Sequence, residues 1–274
     1  MTKTILITGS TDGIGLETAR ALSAAGHNIL LHGRSEHKLA AAKAELDAMP
    51  DHGAVETYVA DLSDMAAAET LSEAVAAQHK RIDVLINNAG VFAVADTRTA
   101  AGLGVRFAVN TIAPYLLTRR LMPLLDQSAR VVNLSSAAQS PVELDALTGE
   151  TNLSDGAAYA QSKLALTMWS RSLAQDLGPD GPVIVAVNPG SLLNTKMVRD
   201  AYGPSGNDVA IGVDILVRAA LSEEFADASG LYFDNDSGQF ARPHADALDP
   251  QKCEQLTQSL EAILQNLGNG TKIS

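Results

Sequence analysis

Short runs of apolar and β-branched residues recur along the chain at 4–8, 28–32, 54–59, 84–87, 130–134, 183–187 and 230–233, each close to Gly, Asn, Asp or Ser. Between them lie longer stretches where Ala and Leu return at helical spacing: 14–25, 36–49, 65–79, 101–125, 157–177, 207–221 and 250–267. Runs this brief and this continuously apolar fit strands buried on both faces, and their alternation with helices predicts a parallel sheet covered on two sides. The pattern predicts one α/β domain over residues 1–274. Its seven-stranded, mainly parallel, doubly wound sheet is flanked by helices and followed by a helical tail from about 249 to 274. Two less regular stretches, 139–156 and 192–206, each follow a strand. In such a sheet they are the natural walls of a ligand pocket, or else plain surface loops.

Composition narrows the function classes. With 274 residues, 46% of them hydrophobic, the chain can bury one large core, and neither an internal repeat nor a low-complexity linker divides it. A formal charge of −12 opposes the phosphate attraction on which nucleic-acid binding depends, so neither nucleic acid nor an anionic membrane surface is an expected partner. The single cysteine, Cys253, forms no internal disulfide, which fits a cytoplasmic location. The opening residues run directly into an apolar strand without an export leader. No run of about eighteen apolar residues signals a membrane helix. The six histidines show no metal-binding spacing and read as surface or loop residues; no metal is expected.

The first strand ends in Thr8-Gly9-Ser10-Thr11-Asp12-Gly13-Ile14-Gly15 and opens into a helix. There, backbone amides and the helix dipole can hold a pyrophosphate, and glycines permit the tight turn and close approach that this requires. The same residues could serve only as a helix start. The second strand ends His32-Gly33-Arg34, without the acid that would bond a ribose 2′-hydroxyl. The forked guanidinium of Arg34 suits a 2′-phosphate instead, so NADP(H) is favoured and NAD(H) is the alternative; a solvated arginine is the plainer reading. Asp61-Leu62 and Asn87-Asn88-Ala89-Gly90 end the third and fourth strands at the same edge, where a helix cap and a structural turn would also account for them.

Tyr159 and Lys163 lie four residues apart in a predicted helix and share a face. A phenol has a pKa near 10, and a close ammonium lowers it by favouring the phenolate, which gives the pair a catalytic use. Ser136, with Ser135 as competitor, ends the fifth strand and can hydrogen-bond a developing oxyanion. Asn110 sits inside a predicted long helix, where an amide has low propensity and calls for a partner.

Taken together, Thr8-Gly9…Gly13-Ile14-Gly15, Asn87-Asn88-Ala89-Gly90, Asn110, Ser136, Tyr159-x-x-x-Lys163 and Pro189-Gly190 make the chain resemble the short-chain dehydrogenases/reductases over nearly its whole length. The resemblance implies a Rossmann fold and an Asn110–Ser136–Tyr159–Lys163 tetrad. In it Tyr159 is the acid/base, Ser136 polarises the carbonyl, Lys163 also binds the nicotinamide ribose, and Asn110 anchors a water relay. It further implies cofactor contacts from Gly9, Ser10, Thr11, Asp12, Gly13, Ile14, Gly15, Arg34, Asp61, Leu62, Asn88, Ala89, Gly90, Pro189, Gly190, Leu192 and Thr195, with Asp61 near the adenine. The stretch from Ser136 to Tyr159 is longer than that family's usual segment. This resembles the retinol-dehydrogenase-like and WW-domain-oxidoreductase-like branch, here without that branch's frequent membrane anchor. Asp12 stands where NADP-using relatives often carry a basic residue.

The implied activity is NAD(P)(H)-dependent reduction of a ketone or aldehyde to an alcohol, or its reverse, on a small-molecule substrate. The alternative is a cofactor-sensing regulatory or scaffolding protein on the same fold, although such proteins tend to lose the Tyr or Lys present here. A carrier-protein reductase would want a basic docking patch, for which Arg119-Arg120 are candidates. Relatives commonly form dimers or tetramers on two long helices, so a homo-oligomer is expected unless the C-terminal tail covers that face.

Overall fold

The computed structural model describes residues 1–203 and 206–268, leaving parts of the 192–206 loop and of the C-terminal tail outside the described residues. Strands β1 (Thr4–Ile7), β2 (Asn28–Gly33), β3 (Val55–Val59), β4 (Val84–Asn87), β5 (Arg130–Leu134), β6 (Val183–Asn188) and β7 (Tyr232–Asp234) pair in parallel. An eighth strand, β8 (Gln239–Ala241), runs antiparallel to β7 at the sheet edge. The seven predicted strands all form. The eighth has no apolar run or alternation to announce it: three residues, two of them exposed, after a turn that closes on Gly238.

The sheet order is β3-β2-β1-β4-β5-β6-β7-β8, so the chain winds outward from β1, returns, and continues from β4 on the other side. The carboxyl ends of β1 and β4 therefore diverge into a crevice at the reversal point, the place where open α/β sheets bind ligands. Alternate strand residues feed two cores. Leu6, Leu30, Leu85, Val131 and Ile184 enter one, with α3 (Met65–Gln78), α5 (Ala113–Leu121), α7 (Asp155–Leu177) and α10 (Pro250–Gly268). Ile5, Ile7, Ile29, Leu31, Ile86, Val132 and Val185 enter the other, with α1 (Gly13–Ala24), α2 (Glu36–Asp47) and α9 (Val209–Leu221). Side chains supply the helix starts: Asp12, Ser35, Asp64, Ser154 and Asp208 each accept a hydrogen bond from a first-turn amide.

The long helix predicted at 101–125 is broken. A single turn, α4 (Val105–Phe107), leads into a wider π turn over Ala108–Ile112 before α5 begins. Pro114 has no N–H to donate to the Asn110 carbonyl one turn back, and its ring crowds that carbonyl, so the regular ladder gives way there. Near the other end of the chain, α10 buries Leu256, Leu260 and Ile263 against α3 and α7, and Glu261 accepts from the Tyr115 hydroxyl (2.5 Å) and faces Arg119 (3.4 Å). The tail thus lies across α3 and α7, with Glu261 reaching α5. Among the described residues, no helix is long and apolar enough to cross a membrane, and no group of His, Cys, Asp and Glu is placed to hold a metal ion.

One histidine departs from the surface reading. His32 is 3% exposed in β2; the Gly9 amide donates to its Nδ1 (3.1 Å), which leaves the proton on Nε2 to be donated to the Ala60 carbonyl (3.2 Å). The imidazole thereby ties the ends of three adjacent strands together, and burial pushes its pKa down to about 4. Between pH 6.5 and 4 the unfolded chain binds a proton here that the folded chain does not, so stability falls as pH drops through that window. Urea unfolding at pH 7 and pH 4 should show wild type losing about 3 kcal/mol more than His32→Gln. Equal losses in the two proteins would assign the acid sensitivity elsewhere.

Candidate active site

The ends of β1 and β4 are laced together by two side chains. The Thr8 hydroxyl accepts from the amides of Asn88 and Ala89 (3.0 Å each), and the Asn88 amide group donates back to the carbonyls of Thr8 (2.8 Å) and Gly9 (3.0 Å). Space here is minimal. A Cβ on Gly9 would come within 2.9 Å of the Ala89 backbone, and one on Gly15 within 2.5 Å of the Gly9 carbonyl. Ser10 is fully buried, its hydroxyl accepting from the His32 amide (2.9 Å), while Thr11 lies against Gly33. Ile14 packs onto Gly212 of α9, and Gly13 faces the methyl of Thr195. The turn is thus shaped by its neighbours into a backbone cradle at the start of α1, which fits a dinucleotide pyrophosphate.

Around this cradle, Asp12 accepts from the Gly13 amide (2.8 Å) and forms an ion pair with Lys38 (3.4 Å). A cation thereby stands beside the acid found where a basic residue is common. Arg34 is exposed and makes no hydrogen bond or ion pair with the described residues, which leaves its guanidinium available to an anion. Asp61 closes its own turn, accepting from the amide and hydroxyl of Ser63 (2.9 and 2.8 Å), while Asp64 caps α3. Leu62 packs into the core.

The residues read as the reacting group converge at the same edge. Within the π turn, Asn110 accepts from the Val91 amide (2.8 Å) and donates to the Val91 carbonyl and the Ser162 hydroxyl (3.0 Å each). It is both a backbone clamp and a bridge to α7. Lys163 is 5% exposed, and its ammonium donates to the Leu134 carbonyl at the end of β5 (2.7 Å); burial brings its pKa down to about 8. The same ammonium lies 5.7 Å from the centroid of the partly buried Tyr159 ring, which packs edge-to-face with Phe92 at 5.1 Å between ring centroids. A Cβ on Gly90 would reach 3.5 Å from the Asn110 amide oxygen and 3.6 Å from the Lys163 nitrogen, so the Asn88-Ala89-Gly90 turn enters this cluster.

The two serines separate. Ser135 is buried and bonded to the Thr167 hydroxyl (2.7 Å) and the Lys163 carbonyl (3.3 Å), whereas Ser136 stays partly accessible and, among the described residues, its hydroxyl meets only the Ala138 amide (3.1 Å). The Ser136 carbonyl is held by the Tyr232 hydroxyl (3.2 Å) and the Gln139 side chain (3.0 Å).

Both irregular stretches fold into walls beside the cluster. The first contains α6 (Leu144–Leu147), whose Ala146 and Leu147 are buried; Gln161 of α7 binds Glu143 through both its amide atoms (3.0 and 2.9 Å). The second contains α8 (Lys196–Tyr202), capped by Thr195. Pro189 and Gly190 lead into it, with the Asn235 side chain donating to the Pro189 carbonyl (3.0 Å). Leu192 stands 52% exposed at φ +52, a left-handed conformation rare for a branched residue. Asn207 holds it by donating to the carbonyls of Leu192 and Ser191 (2.8 Å each), and Asp236 accepts from the Ser191 amide (2.7 Å) and hydroxyl (2.5 Å). Asp236 and Asn207 were not among the expected site residues, although 234–238 is turn-rich; Tyr232 was read only as part of a strand, and His32, at a strand end, as a surface or loop residue. Arg119 and Arg120 form ion pairs with Glu261 (3.4 Å) and Glu69 (2.5 Å), which detracts from a docking patch there.

Comparison with known proteins agrees with this arrangement. Residues 3–203 match the short chain dehydrogenase family model. Retinol dehydrogenase 12 of Bos taurus is 34% identical over 256 residues, which is 89% of this chain and 81% of that protein. Among solved structures, an uncharacterized protein from Mycobacterium paratuberculosis superimposes with a TM-score of 0.72 at 27% identity, covering 93% of both chains. A metagenomic short-chain oxidoreductase in complex with NADP gives 0.62 at 29% identity, over 81% of this chain and 93% of that one. The chain therefore belongs to the short-chain dehydrogenases, on their retinol-dehydrogenase-like branch, and is a nicotinamide-dependent oxidoreductase of alcohols and carbonyl compounds.

Proposed function

We propose that the protein reduces an apolar aldehyde or ketone with NADPH, or oxidises the corresponding alcohol in reverse, and that Tyr159 is its acid/base. The observation that carries this reading is the meeting of Lys163, Asn110 and Gly90 at one point beside the Tyr159 ring. Gly9, Ser10, Thr11, Asp12, Gly13, Ile14 and Gly15 would cradle the dinucleotide, with Asp61, Leu62, Asn88 and Ala89 along its adenosine half. Pro189, Gly190, Leu192 and Thr195 would lie along the nicotinamide half. Bound there, the nicotinamide supplies or accepts the hydride.

The chain's own residues supply the rest. The Ser136 and Tyr159 hydroxyls hydrogen-bond the carbonyl oxygen, and the phenol gives up its proton as negative charge develops. Lys163 stabilises the phenolate that remains. Asn110, through Ser162, holds the approach for proton return. Arg34 binds the 2′-phosphate, with Lys38 offsetting Asp12. The exposed Leu192, the nearby Phe92, and the retinol named for the bovine relative support an apolar substrate. A cytoplasmic location belongs to the same proposal and is supported by the lone, buried Cys253. A homodimer or tetramer would have to use a face other than the one α10 covers.

Tyr159→Phe should lower kcat at least about 100-fold for retinaldehyde-like and simpler carbonyl substrates. NADPH binding, followed by cofactor fluorescence, should stay within about twofold because the phenol hydroxyl contributes little to ground-state affinity. Turnover equal to wild type would overturn the acid/base role. Arg34→Ala should weaken NADPH binding by about tenfold or more and leave NADH binding unaltered, since only the former carries the phosphate; a parallel loss for both cofactors would remove Arg34 from that role. Carbonyl reduction should decline as pH rises through about 8, because loss of the Lys163 proton removes the charge that makes the phenol a usable acid. An initial-rate pH profile that stays flat from pH 7 to 9 would contradict this.

A further inference from the structure

The short α4 turn carries a buried cation that the family motifs do not include. Arg106 is 3% exposed; its Nε–H donates to the Phe92 carbonyl (2.6 Å), and its guanidinium forms an ion pair with Asp155. Asp155 is the first residue of α7, one turn ahead of Tyr159. Asn110, one turn after Arg106, repeats the arrangement by holding Val91 and reaching Ser162 of α7. Two polar rungs therefore join the segment after β4 to the catalytic helix, one at each side of Tyr159. The ring of Tyr159 packs its neighbour Phe92 between them. Taking a guanidinium out of water is costly unless it is paired and hydrogen-bonded, and here the cost is offset by contacts that all lead to the phenol's surroundings.

We propose that Arg106 is a positioning residue: by bridging the Phe92 carbonyl to Asp155, it fixes the first turn of α7 against the 90–92 segment and so holds the Tyr159 phenol in its reacting orientation. Asp155 also ends the 139–156 wall, so the same pair sets where that wall joins the catalytic helix. This inference rests on the acid/base role given to Tyr159 above.

The test uses the full chain with Asp155→Asn, Asp155→Glu and Arg106→Gln. Asp155 is 55% exposed, so its replacement opens no core, and Asp155→Asn carries the test alone should Arg106→Gln not fold. Three quantities are read: kcat and KM for a carbonyl substrate, NADPH affinity by fluorescence, and the near-ultraviolet circular dichroism of Tyr159. The last is taken as the difference from the same protein carrying Tyr159→Phe. Asp155→Asn should lower kcat about tenfold with NADPH affinity within about twofold, because misplacement of a reacting group falls on the chemical step. It should also remove most of the Tyr159 dichroic signal, and Asp155→Glu should restore both. An unchanged kcat and dichroic signal would overturn the proposal. So would equal losses in kcat and cofactor affinity, or a Glu variant no better than Asn. The dichroic difference reads ring order without turnover; it judges Arg106 even if Tyr159→Phe proves active and the acid/base reading fails instead.

Discussion

An ammonium group can sit in a protein interior only where something accepts its hydrogen bonds, and Lys163 finds that acceptor in the Leu134 carbonyl at the end of β5. The register of α7 over the sheet follows. Along the same seam Asn133 donates to Ser170 (2.8 Å), Ser135 meets Thr167, and Asn110 meets Ser162. Asn87 extends the seam sideways to Asn133 (2.8 Å) and Thr118 (3.2 Å). A slide of α7 by one residue would strand several buried polar atoms at once, so this ladder specifies a single placement as well as adding stability. Tyr159 lies one turn ahead of Lys163, and the placement carries it to the open edge.

The crevice that Tyr159 reaches is a consequence of winding order. Because the chain reverses between β1 and β4, no crossover helix fills the gap between their carboxyl ends, and loops must do so. Thr8 and Asn88 tie those loops to each other, and His32 ties them to β2 and β3. A nearly rigid cradle therefore forms from residues that, taken singly, are ordinary turn formers. The neutral state of His32 is part of this, since only an unprotonated Nδ1 can accept from Gly9.

Two devices brace the rim of the site. One is the β7–β8 hairpin, whose Asp236 holds the Ser191–Leu192 turn in a conformation that an unsupported leucine would leave. The other is the Arg106–Asp155 pair at the outer end of α7. Each adds a fixed wall at the rim of the pocket, where relatives on a shared fold differ in the ligands they select. The acidic excess is consistent with a solvated surface.

Element order and the glycine turn were legible in the sequence because both are local: strand runs, helical spacing and a Gly-rich turn are properties of neighbouring residues. The Tyr159–Lys163 pair was legible for the same reason, as a four-residue spacing on one helix. Tertiary structure alone decided that Ser136 rather than Ser135 stays accessible, and that Asn110 spans two elements from a π turn forced by Pro114. It also decided that His32 is a core residue, that a weak three-residue segment becomes β8, and that Arg106 finds Asp155. Each of these outcomes depends on a partner brought near by the sheet's winding and not by the chain's own sequence spacing. The sequence by itself determined which chemistry was present and at which edge of the sheet it would gather. Which of those groups touch one another was decided by packing, which brings most buried polar groups to partners far away in the sequence.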